Sequence, residues 1–190
     1  MLARSPFKDR VEAGRMLAQK LLDYRGSDAF VLSIPRGGVV VGFEVARELE
    51  AKLDVVMPRK IGAPGNPELA VGAVAEDGTV TLNSRLISDL NIPEEYLQDE
   101  VKRQVEEIRR RVKMYRSGSP PPRVGGKNVI LVDDGLATGY TMKVAATYVR
   151  KQSPSSIVIA VPVAPADTVE KLGKDVEKLV CLYTPEPFYA

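Results

Sequence analysis

The residues best suited to chemistry lie together in VILVDDGLATGYTM, residues 129–142, where an apolar run leads into two carboxylates, two glycines and two threonines. Ionised Asp133 and Asp134 only accept hydrogen bonds, so they suit sugar hydroxyls and repel phosphate. Gly135 and Gly139 permit tight turning and close backbone approach, while the hydroxyls of Thr138 and Thr141 can bond phosphate oxygens. A helix starting near Tyr140 would offer unpaired amides and its positive dipole end to an anion, with Ala137 to Thr141 as the cradle. Sugar beside the aspartates and phosphate beyond them is the consistent arrangement, and the segment reads as a phosphosugar site. An acidic strand end followed by a capped helix is the plainer reading, but it does not require all six residues together. The sequence contains no GxxxxGK[ST] loop and no GxGxxG turn, which sets two other phosphate cradles aside.

Composition narrows the chemistry further. The 190 residues include no His, which excludes serine–histidine and cysteine–histidine catalysis, imidazole metal ligands and the usual proton shuttle near neutral pH. Carboxylates, amines, hydroxyls and backbone must do the work. The single cysteine, Cys181, precludes an intramolecular disulfide and a multi-thiolate zinc site. It suits a reducing compartment, so a cytoplasmic location is expected. The net charge of +2 does not imply a nucleic-acid or membrane partner. Arg109, Arg110 and Arg111 fall on different helix faces beside Glu106 and Glu107, which reads as a solvated face, and no nucleic-acid partner is expected. The opening MLARSPFKDRVEAGR has no continuous apolar stretch and predicts no export. All apolar runs fall short of the roughly 20 residues that cross a bilayer, so no membrane partner is expected either.

These side chains need elements to position them. Phe7, Val11, Gly14, Leu17 and Leu21 recur at helical spacing and predict an amphipathic helix over residues 7–24. Phe30–Ile34 reads as a strand, Gly37–Gly38 as a turn, and the segment through about Glu50 as a helix. Leu53–Met57 is a second strand. The Pro- and Gly-rich PRKIGAPGNPE that follows predicts a long irregular loop. Leu69–Ala75 and Thr79–Leu82 flank Glu76-Asp77-Gly78 and predict a hairpin. From Pro93 to Arg116 the spacing of Leu97, Val101, Val105, Ile108, Val112 and Tyr115 predicts a long amphipathic helix, which the connector Ser117–Gly126 ends. Strand Asn128–Val132, a helix over Tyr140–Lys151, strand Ser156–Val161, a helix over Ala166–Lys174 and strand Glu177–Leu182 complete the chain. Such alternation predicts an α/β fold, a parallel sheet with helices on both faces. One domain over 1–190 is expected, with a helical insertion at about 84–116.

VDDGLATGYT closely resembles the PRPP-binding signature of type I phosphoribosyltransferases, PRPP being 5-phosphoribosyl-1-pyrophosphate. The likeness covers nearly the whole chain: RKIGAPGNPELAVGAVAE and CLYTPEPFYA resemble a group of predicted phosphoribosyltransferases of undefined substrate. It implies the type I fold with a small variable hood, and PRPP held by Asp133, Asp134, Gly135, Ala137, Thr138, Gly139, Tyr140 and Thr141. SIPRGG, residues 33–38, resembles the family's pyrophosphate loop, which often carries an unusual cis peptide. Arg36 would supply charge there and Gly37 close backbone approach. PRKIG, residues 58–62, resembles the second basic strand end, where Arg59 and Lys60 would reach the pyrophosphate. Ala63 to about Ala75 would correspond to the mobile loop that closes over PRPP.

The activity so implied is transfer of the 5-phosphoribosyl group to a nucleobase or base-like nitrogen with release of pyrophosphate, Arg36, Arg59 and Lys60 being its catalytic cations. Magnesium is the implied cofactor. It arrives with PRPP near Asp133 and Asp134, with no metal held by the protein alone. Hypoxanthine–guanine enzymes carry an acidic residue at the position of Ala137, so the signature does not support a 6-oxopurine acceptor. The alanine matches adenine and orotate enzymes better. Hood candidates are the N-terminal helix, Ser84–Arg116 and the C-terminal segment, and the family usually continues past FYA, so the end is read as shortened. A homodimer is the implied assembly. The alternative function is a non-catalytic PRPP- or nucleotide-sensing regulator on the same fold.

Overall fold

A computed structural model describes residues 6–185. The elements run α1 (Arg10–Gln19), β1 (Ala29–Ser33), α2 (Gly37–Leu49), β2 (Lys52–Val55), β3 (Arg59–Ala63), β4 (Asn66–Val74), β5 (Val80–Leu82) and α3 (Ser84–Asp89). Then follow α4 (Glu94–Arg116), β6 (Asn128–Val132), α5 (Tyr140–Arg150), β7 (Ser156–Val163), α6 (Ala166–Gly173) and β8 (Lys178–Tyr183). They fall into two compact units, one built from residues 6–56, 122–139 and 149–185, the other from Met57–Pro121 and Tyr140–Tyr148. No described helix is long and apolar enough to cross a membrane.

The first unit holds the expected parallel sheet, in the order β2-β1-β6-β7-β8. Its central strands are short, continuously apolar runs, the composition of strands buried on both faces. Alternate residues Val31, Ile130, Val132, Val158 and Ala160 pack with Leu17, Leu21, Val41, Val45 and Leu49 of the α1–α2 side. The intervening Leu32, Leu131 and Ile159 are equally buried on the other face. Each such side chain contributes about 1.5–3 kcal/mol on leaving water. Ser33 pairs with Val132 across β1 and β6, so these two neighbours end level with each other. The chain leaves β1 toward β2 on one side and β6 toward β7 on the other. Their carboxyl ends therefore form the switch point at which open α/β sheets bind ligands.

The helix expected over residues 7–24 is shorter. Asp9 caps α1 by accepting from the Glu12 amide at 2.8 Å, and the Lys20 amide turns to the Leu17 carbonyl at 3.0 Å, tightening the end before a separate 3-10 turn at Leu22–Tyr24.

The second unit corrects a larger expectation. PRKIGAPGNPE is no long loop, and the segment from Ala63 to Ala75 is not irregular: β3 and β4 pair antiparallel, and β4 continues to β5. The chain reverses at Pro64–Gly65, with Gly65 at φ 73°, and Pro67 lies where the register shifts between Ala63–Asn66 and Gly62–Ala70. A bulge is where a strand tolerates a residue without an amide proton. Gly62 makes room for it, since a Cβ there would stand 2.7 Å from the Pro67 Cα. The expected hairpin around Glu76-Asp77-Gly78 forms, α3 packs by β4, and α4 spans nearly the predicted range against β3 and β4. Residues 186–190, the end of the C-terminal hood candidate, lie outside the described residues.

Candidate phosphosugar site

The site grows from the level ends of β1 and β6. Ile34 prolongs β1 by donating its amide to the Val132 carbonyl at 2.8 Å, and the Pro35–Arg36 peptide that follows is cis. The chain then enters α2 at Gly37. Two glycines let this entry sit against the end of β6. A Cβ on Gly38 would lie 2.9 Å from the Asp133 Cα, and one on Gly37 would lie 1.8 Å from the Asp134 Oδ2. Arg36 is exposed and has no ion-pair partner among the described residues. The expected pyrophosphate loop and the two carboxylates are thus brought together.

The two aspartates occupy different environments. Asp133 accepts the Asp134 amide at 2.8 Å, while burial pushes its carboxyl up to about 8 and the adjacent Asp134 carboxylate adds to the rise. Asp134 is more open and receives Nε of Arg10 at 2.7 Å, with an Nη of the same guanidinium 2.7 Å from the same oxygen. Arg10 is the residue that sequence reasoning missed. Its local sign is the Asp9…Glu12 cap, which fixes Arg10 as the first residue of α1.

Beyond the aspartates the loop is anchored from below. The Leu136 amide donates to the Val163 carbonyl at 2.9 Å, and the hydroxyl of buried Thr168 donates to the Ala137 carbonyl at 2.9 Å. Gly139, at φ 77°, runs so close to α6 that a Cβ would meet Thr168 and Leu172 at about 3 Å. Ala137 and Thr138 remain exposed. The chain passes directly into α5 at Tyr140 and Thr141, whose first-turn amides have no partners within the helix. Thr168 had no signal in the sequence, since its contact depends on the loop's folded path.

Arg59 and Lys60 belong to the second unit. As neighbours on β3 they point to opposite faces. Arg59 donates through Nε to Gln104 of α4, and burial together with nearby Arg111 lowers its pKa. Gln104 in turn donates to Glu100 at 2.6 Å. Lys60 is exposed and has no ion-pair partner among the described residues.

The family model for the phosphoribosyl transferase domain matches residues 8–184. Proteins from two Mycobacterium tuberculosis strains, provisionally named phosphoribosyl transferases, are 41% identical over 184 residues, 97% of this chain and 42% of theirs. The chain thus spans less than half the length of these curated relatives. A Thermus thermophilus protein of known crystal structure is 44% identical, with a TM-score of 0.78 over 97% of this chain and 87% of that one. A hypoxanthine phosphoribosyltransferase from Staphylococcus aureus, only 12% identical, shares the fold at a TM-score of 0.53 over 93% of this chain and 73% of its own. The fold is therefore that of the type I enzymes, a five-stranded parallel sheet flanked by helices.

Proposed function

Because the chain belongs to the phosphoribosyl transferase domain family, we propose that it binds PRPP and transfers the 5-phosphoribosyl group to a nucleobase or base-like nitrogen. The observation that carries this reading is the Asp133–Asp134 pair ending β6 beside the Arg36–Gly37 entry to α2. In this reading Asp133 and Asp134 hold the ribose hydroxyls. The amides and hydroxyls from Ala137 to Thr141 receive the 5-phosphate, and Arg36 with the Gly37 backbone receives the pyrophosphate. Two adjacent carboxylates at a strand end are hard oxygen donors that fit Mg2+ brought in by the pyrophosphate. Bound there, the ion would neutralise the leaving group.

The acceptor nitrogen attacks ribose C1 as its bond to the pyrophosphate oxygen breaks. Pyrophosphate departs with that electron pair, and the acceptor's N–H proton passes to solvent. The protein contributes position and charge: the carboxylates fix the ribose, and Arg36 is the proposed cation for the departing oxygens. Ala137 has no acid–base group, so a 6-oxopurine is not the expected acceptor.

Calorimetric titration with Mg–PRPP tests the site. The native chain should bind, and Asp133→Asn/Asp134→Asn should not. A nucleobase panel read as pyrophosphate release then identifies the acceptor. Binding without any base-dependent release would favour the sensing regulator, and a folded native chain that ignores Mg–PRPP would refute the proposal.

A further inference from the structure

We infer that Arg10 is a positioning residue of the phosphoribosyl site, holding the Asp134 carboxylate in the orientation that receives ribose. The inference rests on the reading of the Asp133–Asp134 pair given above. Both donors of Arg10 converge on Oδ2, through Nε at 2.7 Å and an Nη at 2.7 Å, and Oδ1 lies outside this grip. A carboxylate gripped at one oxygen presents the other in a fixed direction, as preorganised binding of a hydroxyl requires.

The chain places Arg10 there by two local devices. The Asp9 side chain caps the Glu12 amide at 2.8 Å, and Glu12 receives the Lys8 amide at 2.6 Å, which fixes where α1 begins. One turn later Gly14 lets α1 close onto α2, where a Cβ would meet the Glu44 Cβ at 2.7 Å and the Val41 carbonyl at 2.8 Å. Residues four apart share a helix face. Stepping back one turn from Gly14 and from Val41 leads to Arg10 and Gly37, where a Cβ on Gly37 would stand 2.8 Å from the Arg10 Nε. The same packed seam thus sets the guanidinium, the α2 entry and Asp134 against one another. Arg10 is 59% exposed and Asp134 30%, and so open a pair adds little to folding.

Arg10→Met and Arg10→Lys should fold, and each is titrated with Mg–PRPP and separately with magnesium pyrophosphate, which lacks ribose. Arg15→Met is the control, because it removes the other α1 ion pair, Arg15 to Glu44. Arg10→Met should weaken Mg–PRPP by roughly 10-fold or more, the scale of a charge-assisted contact. It should leave pyrophosphate within about twofold. Arg10→Lys should recover part of the loss, and Arg15→Met should bind as the native chain does.

Unchanged Mg–PRPP binding by Arg10→Met would sink the inference alone. So would an equal loss for pyrophosphate, which would make Arg10 a general phosphate cation, or an equal loss in Arg15→Met, which would make its effect that of loosened helix packing. A native chain that binds neither ligand would sink the phosphoribosyl reading beneath it.

Discussion

The Cβ that Gly37 lacks would stand 1.8 Å from the Oδ2 of Asp134. The first residue of α2 and the second carboxylate after β6 therefore share one small volume, and only a residue without a side chain lets both remain in place. What crowds that volume is the end of a side chain, which can swing aside at modest cost.

Gly37→Ala should accordingly keep its fold. Its thermal midpoint should stay near the native one, because alanine also favours a helical position by up to about 1 kcal/mol. Asp134 would be turned away from Arg10, and Mg–PRPP affinity should fall by roughly 10-fold or more. Native affinity in a calorimetric titration would show that the close approach has no bearing on the ligand.

Asp133 predicts a pH dependence of stability. Its carboxyl is raised from 3.8 to about 8 by burial, with Asp134 adding to the rise. Within that window the folded chain holds a proton that the unfolded chain has released, so stability falls as pH rises through it. Thermal midpoints measured at about pH 5 and about pH 8 should drop more for the native chain than for Asp133→Asn, which carries no such proton. Parallel curves for the two proteins would contradict the assignment.

Ser33 and Gly42 make a second crowded pair. The Ser33 hydroxyl is fully buried without a hydrogen-bond partner, and a Cβ on Gly42 would stand 1.8 Å from it. Ser33→Ala removes an unsatisfied group and should be neutral or stabilising by up to about 1 kcal/mol. Gly42→Ala overpacks the site and should cost about 1–3 kcal/mol. In the double variant the alanine at position 33 should relieve much of that loss, and denaturant melts showing strict additivity would exclude the coupling.

In the second unit, Glu76 joins two elements. It accepts from the Tyr148 hydroxyl of α5 and lies 3.2 Å from the almost fully buried Arg116 guanidinium that ends α4. Burial and Glu76 together raise the Tyr148 pKa. Removing the carboxylate from a buried guanidinium should be severe, about 3 kcal/mol for Glu76→Gln. Tyr148→Phe should lose only about 1 kcal/mol, the worth of one hydrogen bond. Equal losses in urea titrations would mean that the ion pair contributes no more than the hydroxyl.

Much of this molecule was legible in the chain. The strand Asn128–Val132 was predicted with the bounds the structure gives, because a buried parallel strand is a continuous apolar run bounded by turn residues. The helix expected from Pro93 to Arg116 is α4, Glu94–Arg116, since its apolar stripe persists for six turns. PRKIGAPGNPE misled because Pro and Gly ordinarily interrupt strands, whereas here Gly65 makes the turn and Pro67 falls in the bulge.

Sequence alone determined the chemistry on offer: carboxylates, glycines and hydroxyls at fixed spacing after an apolar strand, in a chain without histidine. Those features are local, and local order carries them. Only the tertiary structure decided that Arg10 grips Asp134 across 124 residues, that Thr168 supports the Ala137 carbonyl, and that Arg59 turns to Gln104. Such contacts arise when the packing of whole elements sets their partners' distance and direction, and no spacing within one segment encodes either quantity.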